Sequence, residues 1–431
     1  MGLTGGIRMC HTKGDKVMEK LAMNGGTPVR DTKLMTKWPG ALLYGEEEAR
    51  KVFDVCMAKS PFRYYGANGL NMVKQFEEAF ANRMRVKNAL GVTSCTASLV
   101  VALKAAGIGP GDKVIVPACT FVATAGAVVC AGAVPIFADI DDSLNIDPKQ
   151  IGKVCDKYTK AVIVVPLLGV PCKMDEIVAE AKKYSLIVIE DVAQSMGAEY
   201  HGKPMGSWGD LGVFSMQLNK IITTGEGGVV VTDNDALYER ACRYHDQGMY
   251  RDNPHPELEA ESCLIGQNYR MSELTGAAAL VQLERLDSII ARMKEIKRTL
   301  KSELSSIDGL MFRNDVDEEG DAAASFTVYF PTVEQTRLFN QAMRAENMDF
   351  STQYGGKLAY MNPQIFNQRT IDPSGFPFNQ FDEKIVYTED MCPYARDLYP
   401  RSSFMFLNPC MTDKDVEDVI KAMKKVLPVV L

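Results

Sequence analysis

The stretch from Leu186 to Thr232, LIVIEDVAQSMGAEYHGKPMGSWGDLGVFSMQLNKIITTGEGGVVVT, constrains this chain more than any other. Its apolar, β-branched run from Leu186 to Ile189 stops abruptly at Glu190 and Asp191. Such a run marks a central strand buried on both faces, and open α/β sheets bind ligands at the carboxyl ends of their strands. Asp191 is therefore expected at a ligand-binding edge. Lys220 follows, between the apolar strand Val213-Phe214-Ser215 and the loop Gly225-Glu226-Gly227-Gly228. A lysine set among apolar residues and glycines loses solvent, which lowers its pKa and frees a neutral amine to attack carbonyls.

Taken singly, Lys220 reads more simply as a solvated loop lysine and Asp191 as a helix N-cap. Together they are the pair that pyridoxal 5'-phosphate requires: an amine for its aldehyde and an acid that keeps its ring nitrogen protonated. The pattern E-D-x-A-Q-x-x-G-A, then G-D-x-G-x-F-S, then K-x-x-x-x-G-E-G-G resembles the DegT/DnrJ/EryC1/StrS family. These are fold-type-I pyridoxal-phosphate enzymes, mostly sugar aminotransferases. The likeness extends, more thinly, from about Asn24 to the C-terminus.

The rhythm of strand, helix and strand along residues 89–232 predicts an α/β protein with a parallel doubly wound sheet. The resemblance sharpens this to a large domain over 41–285, with a mostly parallel, seven-stranded-type sheet sandwiched by helices. An N-terminal arm over 1–40 precedes it, loosest over 1–23, with Met18 a candidate start of translation. A smaller α+β C-terminal domain over 286–431 follows, opening with a long connecting helix. Periodicity predicts helices over 46–58 (Val52, Val55 and Cys56 inward), 71–85, 97–106, 174–184, 236–244, 273–304 and 334–347. A last helix, capped by Thr412 and Asp415, is expected to run to Val426. Strands are expected over 89–92, 113–117, 135–139, 161–166, 229–231 and 324–330. Asp139-Ile140-Asp141-Asp142 reads as a solvated turn, and 382–397 as irregular. Gly107 to Asp112 precedes a strand rather than following one, so it is a turn and not a dinucleotide loop.

The resemblance also implies roles. Lys220 would bond the cofactor and act as the catalytic base, with Asp191 facing the ring nitrogen. Gln194, one helical turn on, would donate to the ring's oxygen, and Phe121 would stack on the ring. Ser215, Thr96 and the backbone of Cys95 would hold the phosphate, a role that helix N-termini serve generally. The family usually carries Ser-Gly-Thr there, whereas this chain has Ser94-Cys95-Thr96. Asn268, in the segment Asn268-Tyr269-Arg270-Met271, would arrive from a partner subunit, which implies a homodimer with shared active sites. The loop Ser60–Gly66 resembles the family's substrate-side segment. Where relatives often show a histidine, Gln353-Tyr354 stands, so acceptor binding is expected to differ.

The expected reaction moves an amino group from glutamate or glutamine to a keto-sugar, nucleotide-linked or free, or to a ketocyclitol. The form Phe214-Ser215-Met216-Gln217-Leu218-Asn219-Lys220 is similar to members acting on scyllo-inosose or making aminohydroxybenzoate. Dehydratases of the family carry histidine in place of the lysine, so Lys220 argues against that reading. A regulator that lost the chemistry would not need every catalytic position filled. Other classes are disfavoured by composition. A net charge of -7 without a basic run interleaved with aromatics argues against a nucleic-acid partner. Eleven cysteines without a C-x-x-C pair and four scattered histidines give no support to a metal site. The start lacks an apolar signal region and a myristoylation motif, and no apolar run is long enough to span a bilayer. A soluble protein with reduced thiols in the cytoplasm is expected.

Overall fold

The computed structural model describes residues 19–251 and 263–431. The candidate start at Met18 and most of the loosest part of the arm lie outside the described residues.

Among the described residues, nine strands precede the long helix that starts at Glu273, here in chain order. They are β1 (Asn88–Val92), β2 (Lys113–Pro117), β3 (Val134–Ala138), β4 (Thr159–Val164), β5 (Ile187–Asp191), the hairpin β6 (Glu199–Tyr200) and β7 (Lys203–Pro204), β8 (Leu211–Ser215) and β9 (Gly228–Thr232). Seven of them form one sheet in the order β1-β9-β8-β5-β4-β2-β3. Neighbours from β3 through β8 run parallel, and only β9 is antiparallel to its neighbours β8 and β1. Ile115, Val162, Val164 and Ile189 are fully buried, as strands covered on both faces must be. β9 runs backwards because a tight hairpin, not a helix, joins it to β8: Thr224 N–H donates to Met216 O at 2.9 Å and Leu218 N–H to Gly225 O at 3.0 Å.

Helices cover both faces. In chain order they are α1 (Glu46–Ala58), α2 (Met72–Met84), α3 (Cys95–Ala105), α4 (Val122–Cys130), α5 (Pro148–Val154), α6 (Met174–Lys183) and α7 (Asp235–His245). α8 (Glu273–Leu304) starts at an N-cap, Ser272, whose hydroxyl accepts from Thr275 N–H. It buries Leu283, Leu286, Ile290 and Met293 along one stripe as it leaves the large sheet. On α1, Val55 is buried, but Cys56 is exposed, contrary to the inward face expected for it.

Beyond α8 stands a three-stranded antiparallel sheet, β10 (Met311–Phe312), β11 (Ser325–Tyr329) and β12 (Ser402–Phe406), backed by α9 (Val333–Ala345) and the last helix, α12. That helix runs over Asp413–Val430, past the expected end at Val426, behind a capping box between Thr412 and Asp415. Between the outer strands the chain makes two short helices, α10 (Pro363–Phe366) and α11 (Pro393–Leu398). α11 lies in a stretch expected to be irregular, and it explains a second difference. Asp139 is no solvated turn residue: it is buried and accepts from the backbone N–H groups of Tyr394 (2.9 Å) and Ala395 (2.8 Å) at the start of α11. Asp141 beside it pairs with Lys173 at 2.7 Å.

Residues 21–37 are fastened to the C-terminal elements around the three-stranded sheet. Glu346 accepts from Ala22 N–H and Val29 N–H at 2.9 and 2.8 Å, and Arg30 pairs with Asp415 and Asp418. Lys425 bridges Glu346 and the carbonyl of Thr27. Among the described residues no helix is long and apolar enough to cross a membrane.

Candidate active site

A cavity of about 650 Å³ opens at the carboxyl ends of β5 and β8, between the large sheet and the three-stranded C-terminal sheet. Cys95, Thr96, Phe121, Asp191, Gln194, Ser215 and Lys220 all line it. Asn268 does not. It lies exposed in the segment that crosses β1, where Thr93 N–H donates to Tyr269 O at 3.0 Å.

Asp191 ends β5, with only 4% of its surface exposed. The Thr124 hydroxyl donates to Oδ2 at 2.9 Å, while Ala193 N–H and the Cys95 thiol face Oδ1 at 3.3 and 3.8 Å. Burial pushes this carboxyl up from its usual range, against the Thr124 and Ala193 hydrogen bonds and the Lys220 charge. Burial likewise lowers the Lys220 amine, against the attraction of Cys95 and Asp191. Lys220 sits at the tip of the β8–β9 hairpin, where its N–H donates to Gln217 O at 2.9 Å. The loop is held closed by glycine. A Cβ at Gly228 would stand 2.4 Å from the backbone carbon of Ser94, so only glycine lets β9 lie against the start of α3. Ser94 caps α3 by accepting from Ala97 N–H, which leaves the N–H groups of Cys95 and Thr96 without intrahelical partners.

Phe121 precedes α4 and is half exposed, so it is a wall of the cavity and not a core residue. Gln194 occupies a turn rather than a helix, because the chain leaves β5 through two tight turns. Its amide is held from the C-terminal part of the chain by Gln353 and Tyr354, each at 3.1 Å. Three wall elements carry no signal in the motifs: Thr124, the pair Gln353-Tyr354 as partners of Gln194, and Lys37-Trp38 at the mouth. Trp38 has φ of 63°, the left-handed region that is rare for a bulky residue.

The donor set suits pyridoxal phosphate. Asp191 is a buried carboxylate held by neutral hydrogen-bond donors, and among the described residues no basic side chain forms an ion pair with it, so a protonated ring nitrogen would supply a direct cationic partner. The open N–H groups of α3 face the same cavity as a depressed lysine amine.

A parallel-sheet fold with a lysine and a buried acid at its strand ends defines a class, the fold-type-I pyridoxal-phosphate enzymes. Residues 65–424 match the DegT/DnrJ/EryC1/StrS aminotransferase family. The chain belongs to that family of pyridoxal-phosphate-dependent aminotransferases. It is 40% identical over 240 residues to GDP-perosamine synthase of Escherichia coli O157:H7, a match covering 55% of this chain and 64% of that one. It is 29% identical over 419 residues to the L-glutamine:2-deoxy-scyllo-inosose aminotransferase of Streptomyces kanamyceticus, covering 95% and 97%. Among solved structures, an aminotransferase from Psychrobacter cryohalolentis superposes with a TM-score of 0.77 at 28% identity, covering 92% of this chain and all of that one.

Proposed function

We propose that this protein transfers an amino group from glutamate or glutamine to a keto-sugar, nucleotide-linked or free, or to a ketocyclitol. The observation that carries the reading is the depressed amine of Lys220 in one cavity with the buried carboxylate of Asp191. The two relatives above, one named for perosamine and one for a deoxy-inosose, suggest the acceptor class.

Pyridoxal phosphate, when bound, supplies an electron sink for the bond broken at the donor's α-carbon. The rest is the work of the chain. Lys220 Nζ, neutral more readily than an ordinary lysine, would take the proton from the donor's α-carbon and redeliver it on the far side of the transferred nitrogen. Asp191 would accept from the ring N–H and keep that nitrogen protonated. Thr124 and Ala193 N–H hold that carboxylate in place. Ser215, Thr96 and the first N–H groups of α3 would hold the phosphate, Phe121 would cover the ring, and Gln194 would donate to its oxygen.

The site is completed by a second copy of the chain, which brings Asn268. Supporting this, Asn268 lies outside its own chain's cavity, and Phe53, Met57 and Tyr65 leave large apolar or aromatic side chains exposed, as a surface awaiting a partner does. Borohydride treatment of the yellow holoenzyme should fix the cofactor to the peptide containing Lys220. Incubation with glutamate or glutamine should discharge the colour, and a keto-sugar or cyclitol should restore it. Labelling of another lysine would reject the site, and a donor that leaves the colour unchanged would reject the activity.

A further inference from the structure

The direction of every hydrogen bond around Gln194 can be worked out from its buried end. Tyr399 is fully buried, and its hydroxyl lies 3.2 Å from Gln353 Oε1; an amide oxygen only accepts, so the phenol donates. Gln353 must then present its amino group to Gln194 Oε1, at 3.1 Å. A second donor fixes the same oxygen independently, since Leu168 N–H points at it from 3.3 Å. Gln194 is left with its amino group free to donate, and one of those hydrogens goes to the Tyr354 oxygen at 3.1 Å. The Tyr354 oxygen thus accepts. Among the described residues no acceptor takes its own proton, and the side chain, 42% exposed, lines the cavity. Burial raises this phenol to about 12, so it keeps the proton throughout the neutral range.

Two further observations bear on what takes that proton. Tyr354 stands at φ 49°, with Gly355 and Gly356 also at positive φ, a left-handed run that a tyrosine enters only when its surroundings hold it there. Its ring lies 5.6 Å from that of Phe121, and the wall it belongs to, Ser351 to Tyr354, offers hydroxyl and amide groups without a charged side chain. A neutral, polar and partly aromatic wall suits an uncharged polyhydroxylated ring better than a carboxylate, which calls for a cation.

We propose that Tyr354 is a specificity-determining residue for the acceptor, donating its hydroxyl proton to the carbonyl oxygen, or an adjacent hydroxyl oxygen, of a ring ketone. The inference rests on the aminotransferase reading and adds to it the residue that selects the acceptor. Gln353 and Tyr399 act through Gln194 and are positioning residues.

The two half-reactions separate the claims. Holoenzyme is reacted first with glutamate or glutamine alone, and the aminated form then with scyllo-inosose or a nucleotide-linked keto-hexose, each step followed by cofactor absorbance. In Tyr354→Phe the acceptor step should lose about tenfold or more in kcat/KM relative to the donor step, as loss of one substrate hydrogen bond predicts. Calorimetry of the borohydride-reduced protein, which cannot turn over, should show the same weakening for the ketone. In Gln353→Leu both steps should fall, since Gln194 is released. Equal loss in both steps for Tyr354→Phe, or no loss in either, would overturn the assignment of Tyr354 while leaving the aminotransferase reading intact. A wild-type protein that fails the donor step would overturn both.

Discussion

Asp191 shows how much of this chemistry hangs on one carboxylate and its immediate neighbours. It is buried, which by itself favours the protonated form, and the Thr124 hydroxyl at 2.9 Å counters that by stabilising the charge. A neutral amide in its place keeps the shape and loses the charge. Asp191→Asn should therefore still bind cofactor but transaminate at least a hundredfold slower, since about 3 kcal/mol of barrier follows at roughly 1.36 kcal/mol per tenfold. Near-normal turnover in single-turnover assays would mean that another residue faces the ring nitrogen. Cys95 belongs to the same cluster. Its thiol, pushed up by burial and by Asp191, stands 3.8 Å from that carboxylate where relatives usually have glycine.

At the scale of the element, the approach of β9 to α3 is the tightest constraint on the site. An added methyl at Gly228 would meet Ser94 carbonyl atoms at 2.4 and 2.5 Å and the Ser98 hydroxyl at 2.6 Å. Backbone cannot yield as a flexible side chain can, and overpacking of this kind costs about 1–3 kcal/mol. Gly228→Ala should move the start of α3, weaken cofactor affinity about tenfold or more in a fluorescence titration, and lower the melting temperature. Unchanged affinity would show that the phosphate is not held there. The elements themselves were largely readable, because α1 and α8 carry a helical apolar stripe and α8 a serine cap, and β2, β4 and β5 each hold three consecutive β-branched residues. What joins distant elements was not. Asp139 looks like part of an acidic turn until α11 arrives from 255 residues away to be capped by it. Gln353-Tyr354 could be seen to depart from the usual histidine, but their grip on Gln194 depends on where the elements around the small C-terminal sheet pack. The seven positions that line the cavity come from short motifs at strand ends, where local pattern and fold geometry agree. Thr124 escaped notice because its role is a contact, which no spacing within α4 announces.

For the molecule as a whole, the position of Asn268 makes the sharpest prediction. In a two-fold dimer with shared sites, each subunit gives its Lys220 to one site and its Asn268 to the other. Lys220→Ala and Asn268→Ala proteins, each inactive or weak alone, should regain activity when they exchange subunits. Random mixing leaves up to about a quarter of the sites with both native residues. Exchange confirmed by mass spectrometry without recovered activity would assign Asn268 to its own chain. The fastening of residues 21–37 to the C-terminal elements has a different consequence, one that concerns synthesis. Ala22 reaches Glu346 across 324 residues, and Thr27 reaches Lys425 across 398. At about 5–20 residues per second, the segment leaves the ribosome about 20–80 s before the helix that anchors it. Through that interval Leu21 and Leu34, both buried in the finished protein, have no permanent cover and are natural targets for chaperones. A ribosome that stalls before α12 therefore strands residues 21–37 and the elements around the three-stranded sheet at once.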